Sequence, residues 1–481
     1  MKSRDSIYVG GEWVQSTGSG LIEVVSPNTE EVIATAPDVT ADDIDAAVAA
    51  ARRAMDEGPW PTMAKEERLA KISELSAVLM EHGQEIADTI SAENGSPAKW
   101  SFAGQVMSAT MALDAFAEIG ADYDLESARM GGLGQTVKVR KAPVGVVAGI
   151  APWNVPLFIM ALKLGPAMVT GSPIILKASP ETPLDAYLLA DAIDSIGLPP
   201  GAVNVVSADR DASDHLVRHP GIDKVAFTGS TAVGRRIGGI CGEQLKHCSL
   251  ELGGKSAAIL LEDWDIAAGV NELVDSGLLN NGQACGAQTR ILAPKSRYSD
   301  VVDALAAHVG SMVVGDSLDP ETDIGPMVSR RQRERVAGYL EIGAESGARA
   351  VTGGGLPDHI HQGWFVEPTV FADVDNSMRI AREEIFGPVL AVIAYDGEEE
   401  AVEIANDSDY GLCGSVWSAD ADHATDLAAK VRTGCVAINS QLIVDWRSPF
   451  GGMKDSGLGR ELGPEGIDEY IEYQSIIGQP G

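Results

Sequence analysis

Apolar positions along this chain alternate between a period of two and the wider spacing of helices. Residues 7–14, Ile7-Tyr8-Val9-Gly10-Gly11-Glu12-Trp13-Val14, predict a hairpin, because the Gly-Gly pair supplies the positive φ values of a tight turn. Residues 40–55 predict a helix with Thr40 as its cap and Asp42 and Asp43 at its positive end. Helices are expected to continue from Lys65 to Phe116. From about residue 137 the alternation quickens. Residues 137–140 are strand-like, 145–150 and 173–177 read as buried strands, and a helical stretch beginning near Pro156 separates the last two. Residues 202–206 and 224–228 continue the series. Strand-helix-strand units of this kind form parallel, doubly wound α/β sheets.

A length of 481 residues predicts two or more domains with filled interiors. The apolar stretch 156–176 is interrupted by Lys163, Pro166 and Pro173, too soon for a membrane span. With 70 acidic and 36 basic side chains, the net charge of −34 repels nucleic acid phosphates and anionic membranes, so neither is expected as a partner. The five cysteines form no CxxC pair, which argues against a disulfide framework and against a zinc site. No signal-peptide pattern follows Met1, and a reducing cytoplasm is the expected location.

One cysteine stands apart chemically. Cys285 lies in a turn of small residues (Gly282, Ala284, Gly286, Ala287) behind an apolar, helix-compatible run, where a thiol is sterically reachable. Upstream, Glu251 is followed by Gly253 and Gly254, which let backbone or ligand come close. A thiol with a carboxylate base is the minimum equipment for covalent acyl chemistry, although a buried cysteine and a solvated glutamate would give the same letters. The turn Gly229-Ser230-Thr231-Ala232-Val233-Gly234 after strand 224–228 opens a helix and suits a pyrophosphate, yet also reads as an ordinary turn capped by Ser230. Lys177 closes a buried strand near that same end of the sheet. His215 and His219 share a helical face, and His359 and His361 share a loop; both pairs read as surface features, and no metal site is expected.

Six motifs then occur in order: Pro152-Trp153-Asn154-Val155-Pro156, Phe227-Thr228-Gly229-Ser230-Thr231-Ala232-Val233-Gly234, Glu251-Leu252-Gly253-Gly254-Lys255-Ser256, Gly282-Gln283-Ala284-Cys285, Glu383-Glu384-Ile385-Phe386-Gly387-Pro388 and Pro449-Phe450-Gly451-Gly452. Together they resemble the NAD(P)-dependent aldehyde dehydrogenase superfamily of the non-acylating, hydrolytic type, over nearly the whole chain. The resemblance implies a Rossmann-type cofactor domain, an α/β catalytic domain and a β-hairpin oligomerisation arm. It matches Cys285 to the nucleophile, Asn154 to an oxyanion donor, Glu251 to the base for hydrolysis and Glu461 to a proton relay. It matches Trp153, Lys177, Gly229, Ser230, Val233, Glu384 and Phe386 to cofactor positions, with Lys177 at the adenosine ribose and Ser230 at the pyrophosphate. Its domain limits fall at 1–120 with 143–253, at 254–447, and at 121–142 with 448–481 for the bridging elements. A homodimer or homotetramer is implied.

NAD is the expected cofactor, with NADP possible. The carboxylate that many NAD-preferring relatives carry three residues after the ribose lysine is here Pro180, while Glu181 and Asp209 are carboxylates nearby and Arg210 is a cation nearby. By alignment to the family's tunnel, Val155, Phe158, Leu162, Leu279, Val444 and Phe450 line the aldehyde site. They are mostly aliphatic, and Leu162 and Leu279 offer neither a member of an aromatic cage nor an arginine, so a neutral, apolar aldehyde is expected, with Trp446 and Arg447 the candidates for overturning that. The alternatives are a CoA-acylating dehydrogenase, whose relatives lack the glutamate at 251, and a non-catalytic oligomeric protein of the same fold.

Overall fold

The β-rich runs between residues 145 and 251 assemble into one parallel sheet. In the computed structural model, which describes residues 1–441 and 444–478, five strands lie in the spatial order Val203–Ser207, Ile174–Ala178, Val147–Ile150, Lys224–Thr228, His247–Glu251. The chain steps outward from Val147–Ile150 in one direction, then returns to pair on its other side. The loops leaving Val147–Ile150 and Lys224–Thr228 therefore diverge, which opens a crevice at the carboxyl ends of the strands where such sheets bind ligands.

The predicted hairpin forms from Ser6–Val9 and Glu12–Gln15, turning at Gly10 (φ 68°) and Gly11 (φ 83°), and it extends one edge with Tyr8 opposite Val205. Gly457–Leu458 closes the other edge against Leu250 and Glu251. Alternate side chains enter two cores: Val147, Leu176, Val205 and Ala226 face one, and Ala148, Ile175, Val206 and Val225 the other. Helix Ala41–Asp56 begins at a reciprocal cap. Asp43 N–H donates to Thr40 Oγ1 at 3.3 Å, and Thr40 N–H donates to Asp43 Oδ2 at 2.9 Å. A cap of this kind contributes about 1 kcal/mol.

Helix Pro156–Thr170 is buried along its whole length. It packs against Ser108–Asp122, and Lys163 is carried into the interior with it. The helical stretch from Lys65 onward holds one feature that apolar spacing does not announce. Ala98–Trp100 is α-helical, Ser101–Met107 is a π-helix, and Ser108–Asp122 is α-helical again.

A second, seven-stranded sheet runs Arg349–Thr352, Thr369–Ala372, Val389–Tyr395, Arg290–Pro294, Ala257–Leu260, Cys413–Trp417, Cys435–Ile438, parallel except at its first pair. Its two faces are likewise covered by separate apolar cores. Glu126–Met130, Thr136–Pro143 and Ile471–Ile477 make a third, antiparallel sheet, with Glu126–Met130 exposed throughout.

Candidate active site

The strand ends of the two large sheets deliver the chemistry. Helix Ile266–Leu278 starts at Asp265, whose carboxylate accepts from the N–H groups of Ala267 (3.0 Å) and Ala268 (3.2 Å). It ends in the turn Leu279–Gly282, where Asn280 (φ 52°) and Asn281 (φ 60°) are both left-handed. Each such residue costs on the order of 1–3 kcal/mol and persists only where its surroundings fix it. Here they do. Asn281 Nδ2 donates to Gly95 O (2.8 Å) and Pro326 O (3.1 Å), and its Oδ1 accepts from Gly325 N–H (2.7 Å).

The reversed chain then makes a turn, closed by Ala287 N–H to Ala284 O at 3.1 Å, that presents Cys285. A Cβ on Gly254 would stand 2.5 Å from Cys285 O, so the glycine lets the end of the cofactor sheet reach the nucleophile turn. Burial, then the charges of Glu384 and Glu251, push the Cys285 thiol up to about 12. Asn154 follows strand Val147–Ile150, is 5% exposed, and donates from Nδ2 to Gln283 O at 2.8 Å, two residues before the cysteine. The Gln283 carbonyl thus ties Asn154 to the turn that carries Cys285.

Glu251 ends strand His247–Glu251 and is 4% exposed. Neither of its carboxylate oxygens hydrogen-bonds a group among the described residues. Burial, reinforced by Glu461, raises its pKa well above the usual carboxylate range against the pull of Lys163 and Arg460. Space for it is made at Gly451 (φ 154°), where a Cβ would lie 2.6 Å from Glu251 Oε1.

Behind Glu251, Lys163 Nζ donates to Glu461 Oε1 (2.8 Å) and to Thr228 Oγ1 (2.7 Å), wholly inside the protein. Glu461 precedes helix Gly463–Asp468 but turns its side chain inward to this lysine, so it is not a helix-terminal surface charge. Lys163 is the buried charge beside Glu251 that the pattern missed. It registered only as a break in an apolar run, yet a lysine inside an otherwise apolar helix needs a buried partner, and that is the signal it carried.

The cofactor candidates border the crevice. Ser230 stands at the N-cap of helix Thr231–Gln244 without making a side-chain cap, so the first-turn N–H groups, Val233 among them, have no helical or capping partner. Gly229 precedes it. Lys177, 7% exposed at the end of Ile174–Ala178, is lowered to about 8 by burial, opposed by the charges of Glu181 and Asp209. Glu384 is no surface residue: its Oε1 accepts from Gly254 N–H at 3.0 Å. Its neighbour Glu383 takes the surface role, bonding Arg379 and Tyr339. Phe386 (φ 60°) stands edge-on to Trp153 at 5.3 Å. A helix N-terminus, a lysine, a glutamate and two aromatic rings at one topological switch point fit a dinucleotide.

Residues 13–476 match the aldehyde dehydrogenase family. The chain belongs to that family. Among its relatives, geranial dehydrogenase of Castellaniella defragrans is 48% identical over 472 residues, covering 98% of each chain. The crystal structure of a Mycobacterium tuberculosis aldehyde dehydrogenase complexed with NAD+ superposes with a TM-score of 0.97 at 46% identity, covering 100% of this chain and 99% of the other. Aldehyde dehydrogenase C from Pseudomonas syringae, complexed with NAD+ and octanal, gives 0.95 at 38% identity, covering 98% and 96%.

In this aldehyde dehydrogenase, Phe158, Leu162 and Phe450 belong to one apolar core, against which Val155, Val444, Trp446 and Cys285 pack. Leu279 is half-buried where the Asn280–Asn281 turn begins. Trp446 meets Phe158 edge-on at 5.5 Å. Arg447 instead turns to solvent, 70% exposed, and pairs with Glu118. Its charge is spent there. The histidine pair at 215 and 219 gains a third neighbour that the sequence did not disclose, Asp45, at 2.6 and 3.3 Å from the two Nε2 atoms. Gly221 N–H donates to His219 Nδ1 at 2.9 Å, so the neutral ring carries its proton on Nε2 and donates it to Asp45, the reverse of what a metal ligand requires. His359 and His361 are exposed. Cys413 and Cys435 are register partners on neighbouring strands.

Proposed function

We propose that this enzyme oxidises neutral, apolar aldehydes to carboxylic acids with NAD, through an acyl group carried on Cys285 and released by water. The observation that carries the reading is Glu251, a buried carboxylate with no protein partner for either oxygen among the described residues, close enough to Cys285 to raise its thiol. Such a group is costly to leave unpaired unless it works on a proton.

In this reading the Cys285 sulfur adds to the aldehyde carbon, giving a thiohemiacetal. Asn154 Nδ2 and the N–H of Cys285 donate to the oxygen that gains charge, each worth roughly 3–4 kcal/mol. NAD bound in the crevice would supply the hydride acceptor, and loss of that hydride, with the thiol's proton released to solvent, would leave a thioester on Cys285. Glu251 then takes a proton from water as its oxygen attacks, and the acid departs with the thiol restored. The buried Lys163–Glu461 pair lies beside Glu251 and would relay that proton. Lys177, Gly229, Ser230 and Val233 would hold the adenosine and pyrophosphate part of the dinucleotide. Glu384, Phe386 and Trp153 would hold the nicotinamide end.

Val155, Phe158, Leu162, Val444, Trp446 and Phe450 share one apolar core with Cys285, and Arg447 is turned away to solvent and Glu118, which favours a substrate without charge. The names of the geranial enzyme and of the octanal complex support the same class. A kinetic panel checks it. Hexanal and geranial are expected to exceed succinic semialdehyde and betaine aldehyde in kcat/KM by at least about tenfold, a difference of ~1.4 kcal/mol in transition-state binding. A preference for either charged substrate would reverse the assignment.

Glu181 takes over the role of the missing carboxylate in the cofactor site. It accepts from Ser179 Oγ at 2.5 Å and stabilises the charge of Lys177, whereas Arg210 is exposed. A carboxylate there repels a 2′-phosphate. NAD should therefore outperform NADP in kcat/KM, and Glu181→Gln should narrow the gap; an unchanged ratio in the variant would remove Glu181 from the argument.

The arm 121–142 and the tail 448–481 are read as bridging elements between a cofactor domain (1–120, 143–253) and a catalytic domain (254–447). Met130, Tyr473 and Ile477 on the three-stranded sheet, and Leu133 in its hairpin turn, are 61–89% exposed, which suits burial against a second copy. Sedimentation should show a dimer or tetramer, and a 50.4 kDa monomer alone would end that reading.

A further inference from the structure

The π-helix Ser101–Met107 interrupts a helical run that contains no proline between Ala98 and Asp122. Turns of this kind are rare and are found mostly at functional sites, since the extra residue weakens the backbone ladder and turns a side chain to a new direction. Gln105 lies within this turn. It is 0% exposed, and its Nε2 donates to the backbone oxygen of Asn154 at 3.0 Å.

Two further amides reach that same oxygen, Asn280 Nδ2 at 2.9 Å and Asn94 Nδ2 at 3.2 Å. A carbonyl oxygen has two lone pairs, so three donors exceed what backbone satisfaction requires. They also come from three separate segments: the end of helix Gly83–Asn94, the π-helix, and the left-handed pair that precedes Cys285. Asn280 Nδ2 lies in addition 3.4 Å from Gln283 O, the carbonyl that takes Asn154 Nδ2. The backbone of Asn154, its side-chain amide and the turn of the nucleophile are therefore tied into one cluster of amides. The sense of the Gln105 amide is dictated by its target, because an Oε1 turned to the Asn154 carbonyl would repel it.

We propose that Gln105 is a positioning residue for oxyanion stabilisation, acting through the Asn154 carbonyl to fix the direction in which Asn154 Nδ2 points. The proposal rests on the role given to Asn154 above. A donor's value to a developing oxyanion depends on displacements well under an ångström, and the direction of a short side chain follows that of its own peptide. Holding the peptide oxygen from a buried helix sets that direction before substrate arrives. Gln105 touches neither substrate nor cofactor in this scheme.

The test is a double-mutant cycle on the first turnover. In the full-length enzyme with NAD and hexanal, Gln105→Leu should slow the burst of reduced NAD about tenfold, with the KM for hexanal and the Kd for NAD within about twofold of the wild type. Asn154→Ala should slow the burst more, and Gln105→Leu added to Asn154→Ala should slow it no further, since the residue acts only through the one removed. Gln105→Met has about the same length without the donor, so it serves in the cycle where the leucine variant does not fold. Equal slowing by the Gln105 substitution with and without Asn154 would overturn the proposal, as would an unchanged burst in the single variant. An Asn154→Ala enzyme with a normal burst would instead refute the role of Asn154 itself, a separate failure.

Discussion

Cys285→Ala is expected to lower aldehyde-dependent reduction of NAD by at least about 10⁴-fold, in line with the loss of a nucleophile elsewhere, while NAD binding stays within about twofold. The asymmetry follows from the structure. Cys285 sits in a turn fixed by Asn280 and Asn281 and packs against the apolar cluster. The groups read as holding the dinucleotide, Lys177, the start of helix Thr231–Gln244 and Glu384, stand on other segments. Alanine removes one sulfur and leaves those segments in place. Titration of NAD by fluorescence beside a turnover assay measures both halves, and near-normal turnover in the variant would remove the covalent route.

Glu251→Gln should separate the two halves of the reaction. The amide has the shape of the acid but takes no proton, so the first turnover should survive as a burst of reduced NAD while later turnovers slow by about 10²–10⁴-fold, the usual contribution of a general base. The pH profile of the wild type carries the same information. Burial raises both groups, helped by the charges of Glu384 and Glu251 at Cys285 and of Glu461 at Glu251, and both must lose a proton to act. Their active, deprotonated fractions therefore grow as pH rises toward the raised values. Activity should climb from neutral into alkaline pH, and the Glu251→Gln variant should lose the part of that climb that belongs to deacylation. A maximum in acid would contradict the assignment of both groups.

What the sequence disclosed was local and what it hid was mostly inward. The Gly10-Gly11 turn, the cap at Thr40 and the buried strands announce themselves because turn chemistry and apolar runs are properties of neighbours in the chain. The order of motifs placed Cys285, Asn154 and Glu251 in one site, and the structure brings them together at the ends of two sheets. Nothing in the pair Glu383–Glu384 itself tells which side chain turns inward, because two adjacent acids carry no sign of it. Lys163 looked like an interruption, because its partners Thr228 and Glu461 are 65 and 298 residues away. Asp45 beside His215 and His219 was hidden for the same reason, at 170 residues from His215. The π-helix left no trace in the pattern, since one added residue per turn shifts the apolar stripe without erasing it. Arg447 could not be oriented until Glu118, on a distant helix, was seen to pair with it.

The account stands on an acyl group held by Cys285 and released by Glu251 to water, and the mass of the intact Glu251→Gln protein after one burst with NAD and octanal tests this most directly. The predicted result is a chain heavier by one acyl group, mapped by peptide digestion to Cys285, with free octanoic acid appearing only slowly and no acceleration on adding CoA. A burst of reduced NAD without any adduct, an adduct on another residue, or rapid transfer of the acyl group to CoA would contradict it.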